Sequence, residues 1–194
     1  MPRLKAAQRK EQLLQIATQV FGKGGYAATT TAEIAHTAGV TEPILYRHFK
    51  NKQELFQAII ESVSAGMIAG LNALIEKEND PVKRLRKVCW GIPDHIRKFA
   101  DSYHVLHGAL TTSRDKKVIE VIRQHYGTIQ SFFKQLIKQG QDAGAFDRKI
   151  NPGRAAWHFV MAGVGYSTLT LNLEIIDRGT ITETIEEMIR GLQR

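Results

Sequence analysis

The chain has 194 residues, of which 43% are hydrophobic and 24% charged, and it carries a net charge of +8. That length and balance allow one domain or two small ones around a buried core, and they exclude wholesale disorder. One cysteine, Cys89, excludes an intramolecular disulfide framework and a cysteine-rich zinc site.

The positive charge is unevenly spread. Residues 1–52 hold eight Lys/Arg against three Glu, whereas residues 53–194 hold nineteen bases against sixteen acids. A basic surplus on a short N-terminal segment suits phosphate neutralisation, with a solubilising surface as the plain alternative. The opening MPRLKAAQRKEQ lacks the apolar core of a signal peptide. The most membrane-like stretch, 155–173, is interrupted by His158, Ser167, Thr168, Thr170 and Asn172. The expectation is a soluble, cytoplasmic protein with no membrane association.

Helical periodicity dominates and no alternating strand stands out, so the fold is predicted to be all-α with about nine helices. Residues 5–23 place Leu13, Ile16, Ala17, Val20 and Phe21 on one face, and Gly24-Gly25 stops that helix. Lys5, Arg9 and Lys10 read as a generic basic arm. Thr30 followed by Glu33 has capping-box spacing and starts a second helix carrying Ile34, Ala35 and Ala38. Gly39 suits a positive-φ corner, and Thr41 with Pro43 suits the start of a third, very short helix over 42–49. Leu45 and Phe49, one turn apart, form its inward face. Asn51 caps a long helix over 52–77.

Beyond Asn79-Asp80-Pro81, further helices are expected over 81–100, bent or split at Pro93, then 103–111 and 115–143. Asn151-Pro152-Gly153 opens one to about Asp177, and Thr182 begins the last. Along 152–173, Ala156, Val160, Gly163, Val164, Ser167 and Leu171 form a stripe with several small residues. A dimer interface is the preferred use of that stripe, with burial inside one subunit as the competing one.

Two short helices joined by a tight turn over about 30–50, followed by a basic helix start, place a helix end in the DNA major groove. The ordered residues Ala17, Phe21, Gly25-Tyr26, Thr29-Thr30, Ile34-Ala35 and Ala38-Gly39-Val40 carry a more specific resemblance. Leu45-Tyr46, His48-Phe49, Lys50-Asn51-Lys52 and Leu55 continue it. Residues 9–60 resemble the N-terminal domain of the TetR-type transcriptional repressor family. The resemblance implies backbone contacts for Thr31, Tyr46, His48 and Lys52, and it puts Thr41, Glu42, Pro43 and Ile44 at groove-entering positions. Phenol, imidazole and cationic donors do suit phosphate oxygens. Ile44 could pack on a thymine methyl, Glu42 could accept from a cytosine amino group, and Arg47 could reach guanine or a phosphate. Glu42 and Ile44 depart from the family's commoner choices, a basic or small polar residue and a Thr or Ser, respectively.

The same resemblance implies a larger helical ligand-binding and dimerisation domain, so the expected division is a DNA-binding domain over 1–52 and an effector domain over 53–194. Trp90, His95, Phe99, Tyr103, His104, His107, Phe132 and Trp157 are candidate effector contacts, because a few polar anchors among aromatics suit a mostly greasy pocket. For any single one of them, plain core is the preferred reading. His104 and His107 share a helical face but have no carboxylate or cysteine at ligand spacing, so no metal and no cofactor is expected. The function expected is a ligand-responsive repressor rather than an enzyme. It would bind a pseudo-palindromic double-stranded DNA operator as a homodimer and be released by a small, largely apolar effector. An all-helical enzyme and a ligand-independent DNA-binding protein are the alternatives.

Overall fold

A computed structural model describes residues 5–193 of the chain. Among the described residues the structure is all-helical, with nine helices and no strand. They are α1 (Ala6–Gly24), α2 (Thr31–Thr37), α3 (Glu42–Tyr46), α4 (Lys52–Ile75) and α5 (Pro81–Lys98). The rest are α6 (Ala100–Thr112), α7 (Lys116–Asp142), α8 (Pro152–Leu173) and α9 (Arg178–Leu192). They form two compact units. One takes in the described residues through Val63 together with Phe99–Arg123; the other comprises Ser64–Lys98 and the described residues from Gln124 on.

In the first unit the periodicity of α1 buries Leu13, Ala17 and Phe21, and α6 packs along that helix. The two backbones come so close that a Cβ added at Gly22 would lie 3.1 Å from the Asp101 carbonyl oxygen. Phe21, Tyr26 and Phe56 form an aromatic cluster, with Tyr26 and Phe56 centroids 4.8 Å apart and edge-on. Gln53 Nε2 donates to Asp115 Oδ2 at 2.6 Å.

The second unit is held by α5 on α9 and α8 on α9. Arg86 donates from Nε and Nη2 to the two Glu186 oxygens at 2.7 and 3.0 Å, the paired geometry that suits a guanidinium and a carboxylate. Phe133 stacks on Phe159 at 5.3 Å. Buried Gln141 donates to the carbonyls of Asp147 and Ile150, pinning the turn that follows α7. Cys89 is fully buried, and that burial pushes its thiol pKa up.

Several boundaries differ from the sequence expectation. α5 runs through Pro93, and the interruption falls at Phe99 instead. α8 stops at Leu173 because Glu174 turns left-handed at φ 54°, and α9 starts at Arg178 because the Asp177 carboxylate accepts from Thr180 N at 2.7 Å. Of the small-residue stripe of α8, Ala156, Val160 and Ser167 are buried within the chain, whereas Gly163, Val164 and Leu171 are half-buried. The exposed large apolar residues of α8 are Trp157, Met161 and Leu173, at 44%, 58% and 59%. α4 is long and apolar enough, by length and composition alone, to cross a membrane. Its Leu55, Phe56, Ile59 and Ile60 are nonetheless core residues of the protein.

Candidate nucleic-acid interface

Helices α2 and α3 are seven and five residues long, too short to persist alone, so capping and inward anchors must hold them. Thr30 is the N-cap of α2 and accepts from Glu33 N at 3.1 Å. Gly39 takes φ 65° in the turn, while Val40 N donates to Ala35 O at 3.0 Å and ties off the end of α2. Ile34, Ala35, Leu45 and Phe49 are at most 2% exposed and fasten the two helices to the unit. Asn51 Oδ1 accepts from Glu54 N, and the Glu54 carboxylate accepts from Lys50 N, both at 2.8 Å, so α4 begins on a reciprocal polar cap.

These anchors decide what faces out. Thr41 has the extended backbone of an N-cap but makes no side-chain cap bond, so its hydroxyl is not used to start α3. Thr41, Pro43, Tyr46 and Arg47 are exposed, and Glu42, Ile44 and His48 are half-buried. Thr31 Oγ1 and Tyr46 Oη share a hydrogen bond of 2.9 Å, which links the start of α2 to the end of α3. Lys52 lies over the Tyr26 ring at 4.6 Å and donates to the Ala27 carbonyl at 3.3 Å. Its partial burial lowers its pKa. Lys10, expected only as part of a basic arm, sits 5.4 Å over the Phe49 ring. Helix α3 ends at Tyr46, short of the expected 49, so the nine residues expected at a DNA contact lie on α2, on α3 and the turns flanking it, and at the start of α4. The two bonds made by Thr31 and Lys52 were not legible as pairings in the sequence.

The expected effector residues are dispersed. Phe99, Tyr103, His104 and His107 belong to the same unit as the helix pair, and Trp90, His95, Phe132 and Trp157 to the other. Burial, then Lys98, lowers the His95 pKa; burial, then His104, lowers that of His107. Trp90 is 43% exposed, with the Arg86 guanidinium 5.8 Å from its ring. Phe132 alone of the eight lines the cleft of about 730 Å³ found in the second unit. That cleft is otherwise walled by residues the sequence reading passed over, among them Arg84, Asn72 and a row of glutamines on α7.

An exposed short helix, anchored by apolar residues behind it, preceded by a capped helix and followed by a basic helix start, defines a helix-turn-helix DNA-binding protein. Comparison with known proteins agrees and is more specific. Residues 13–59 match the profile of "Bacterial regulatory proteins, tetR family". The nucleoid occlusion factor SlmA of Vibrio campbellii is 26% identical over 152 residues, which cover 78% of this chain and 74% of that protein. Among solved structures, a TetR-like transcriptional regulator from Rhodococcus sp. RHA1 superposes with a TM-score of 0.77 at 22% identity, over 98% of both chains. The fatty acid degradation regulator FadR of Bacillus halodurans superposes with a TM-score of 0.80 at 15% identity, over 95% of this chain and 99% of that one. Residues 13–59 are thus similar to the DNA-binding domain of the TetR family of regulators, and the chain as a whole shares the fold of these solved structures.

Proposed function

We propose that the chain is a ligand-responsive repressor that binds a pseudo-palindromic operator as a homodimer in the cytoplasm, has no catalytic role, and is released by a small effector. The observation that carries this reading is the outward face of α3, where Thr41, Pro43, Tyr46 and Arg47 are exposed on a helix whose Leu45 is buried. In this reading Thr31, Tyr46, His48 and Lys52 grip phosphates, and Thr41, Glu42, Pro43 and Ile44 with Arg47 meet base edges. A two-fold dimer would set two such helices about 34–36 Å apart, one helical turn of DNA. The exposed Trp157 and Met161, four residues apart on α8, suit a partner helix. A second compact unit that carries a cleft gives an effector somewhere to act, provided the effector binds the DNA-competent and DNA-incompetent states unequally.

Selection from random duplex DNA, combined with light scattering of the free protein, tests this. Two inverted half-sites and a dimeric mass are expected; a monomer that selects a single unrepeated site would refute the dimeric reading. Similarity to nucleoid occlusion factors favours a second reading, in which DNA binding serves nucleoid occlusion rather than transcription. Unchanged transcripts beside the bound sites in a deletion strain would favour that one.

A further inference from the structure

The cleft of about 730 Å³ lies wholly within the unit made of Ser64–Lys98 and the residues from Gln124 on. One wall is a polar row on α7: Gln124, Thr128, Ser131, Gln135 and Gln139. Steps of four, three, four and four residues keep them on a single helix face, along about 22 Å at 1.5 Å per residue. Ile68, Phe132 and Leu136 supply apolar surface beside the row. Among the described residues only one charged side chain lines the cleft, Arg84 of α5, and no carboxylate does.

Arg84 is also distinguished from its neighbours. Arg86 is taken by Glu186 and Lys87 by Glu78, at 2.7 and 2.8 Å. No ion pair engages Arg84 among the described residues, and its Nε is buried without a hydrogen-bond partner. A desolvated guanidinium N–H with nothing to donate to is costly, so Arg84, which lines the cleft, gains if its side chain turns toward an acceptor there. Carboxylate and phosphate oxygens fit the planar guanidinium best. Amides and hydroxyls at successive turns of α7 can then bond polar substituents further along.

We propose that this cleft binds a small organic anion, with Arg84 taking its carboxylate or phosphate and the Gln124–Gln139 row bonding the rest. The chemistry differs from the largely apolar effector expected from the aromatic residues. Its regulatory consequence rests on the effector reading above, although occupancy of the cleft does not.

The test titrates the full chain with citrate, inorganic phosphate and uncharged glycerol at constant ionic strength, by calorimetry and thermal shift. Saturable binding of citrate or phosphate and none of glycerol is expected; which of the two binds more tightly separates the carboxylate from the phosphate source. Arg84→Gln should weaken that binding at least tenfold. Gln135→Glu, a surface change that brings a repelling charge into the cleft, should weaken it too with the melting temperature retained. Wild-type binding by both variants, or no saturable binding of either anion, overturns the proposal. Arg84-dependent binding that leaves operator affinity unchanged upholds the site and removes its effector role. Operator release by an apolar compound, with neither anion bound, overturns the site and leaves the effector reading standing.

Discussion

Lys52 has two possible employments, and one substitution separates them. In the free protein its ammonium lies 4.6 Å from the Tyr26 ring centroid and 6.0 Å from that of Phe21, and it donates to the Ala27 carbonyl at 3.3 Å. A partly exposed cation–π contact of this kind is worth about 0.5–1 kcal/mol. Lys52→Ala should therefore lower the melting temperature by about 1–4 °C in a chain of this size. If Lys52 also neutralises one phosphate per protomer, a dimer loses about 1.8 from the slope of log K against log salt. Between 50 and 200 mM salt, a fourfold change, the wild-type advantage over the variant should then shrink about twelvefold. Fluorescence anisotropy on one operator duplex at several salt concentrations measures this directly. A melting shift with parallel salt lines would refute the phosphate role and leave Lys52 as a brace between α4 and the Tyr26 segment.

Three further outcomes follow from the packing. Gly140→Ala should destabilise by about 1–3 kcal/mol, despite the usual gain of about 0.5–1 kcal/mol for Ala over Gly in a helix, because the new Cβ would overlap the buried Phe146 ring. Urea unfolding measures it, and a neutral result would mean that the ring has room to retreat. His125, buried and sharing a 2.5 Å hydrogen bond with Ser64 Oγ, has its pKa pushed by burial down to about 4. Its folded value lies below its unfolded one near 6.5, so the unfolded chain binds the extra proton. Stability is complete above about pH 6.5 and falls by about 3 kcal/mol as the pH drops toward 4; His125→Gln should flatten that part of the profile, and an unchanged profile would exclude His125 as its source. Thr30→Ala should cost about 1 kcal/mol by removing the α2 cap, and Thr30→Ser should restore it in thermal unfolding.

The helix-turn-helix was legible because its constraints are local. The Thr30 cap, the positive φ of Gly39, the inward pair Leu45 and Phe49, and the Asn51 cap each act within a turn or two, so residue type and spacing reveal them. Helix count and class were legible for the same reason. Pairings across helices were not: nothing in the spacing announces that Tyr46 meets Thr31 or that α6 packs along α1. Aromatic residue type did not mark the cleft either, since of the eight candidates Phe132 alone lines it. Aromatic side chains gain most from burial, and Phe133 and Phe159 stack in the core. A cleft lined with Gln, Ser and Thr at steps of three and four reads in sequence as an ordinary solvated helix face. Only burial of an unpaired Arg84 nitrogen distinguishes the two.

The five residues of α3 cannot hold a helix by themselves, and that makes the roles around it separable. Leu45 and Phe49 are its hold on the unit, so truncating either should unfold the reading head and reduce affinity for every sequence along with stability. A phosphate clamp would lose affinity for every sequence too, yet with stability largely kept and a shallower salt slope. A base reader such as Ile44 would keep stability and slope and change which sites are preferred. Thr31 and Tyr46 complicate the middle class, because they bond each other as well as any phosphate. Removing the Tyr46 hydroxyl should therefore weaken binding by freeing Thr31 as well as by losing a donor. The Thr31→Val variant in the Tyr46→Phe background decides between these: non-additive losses mark the pair as one clamp, and additive losses mark two.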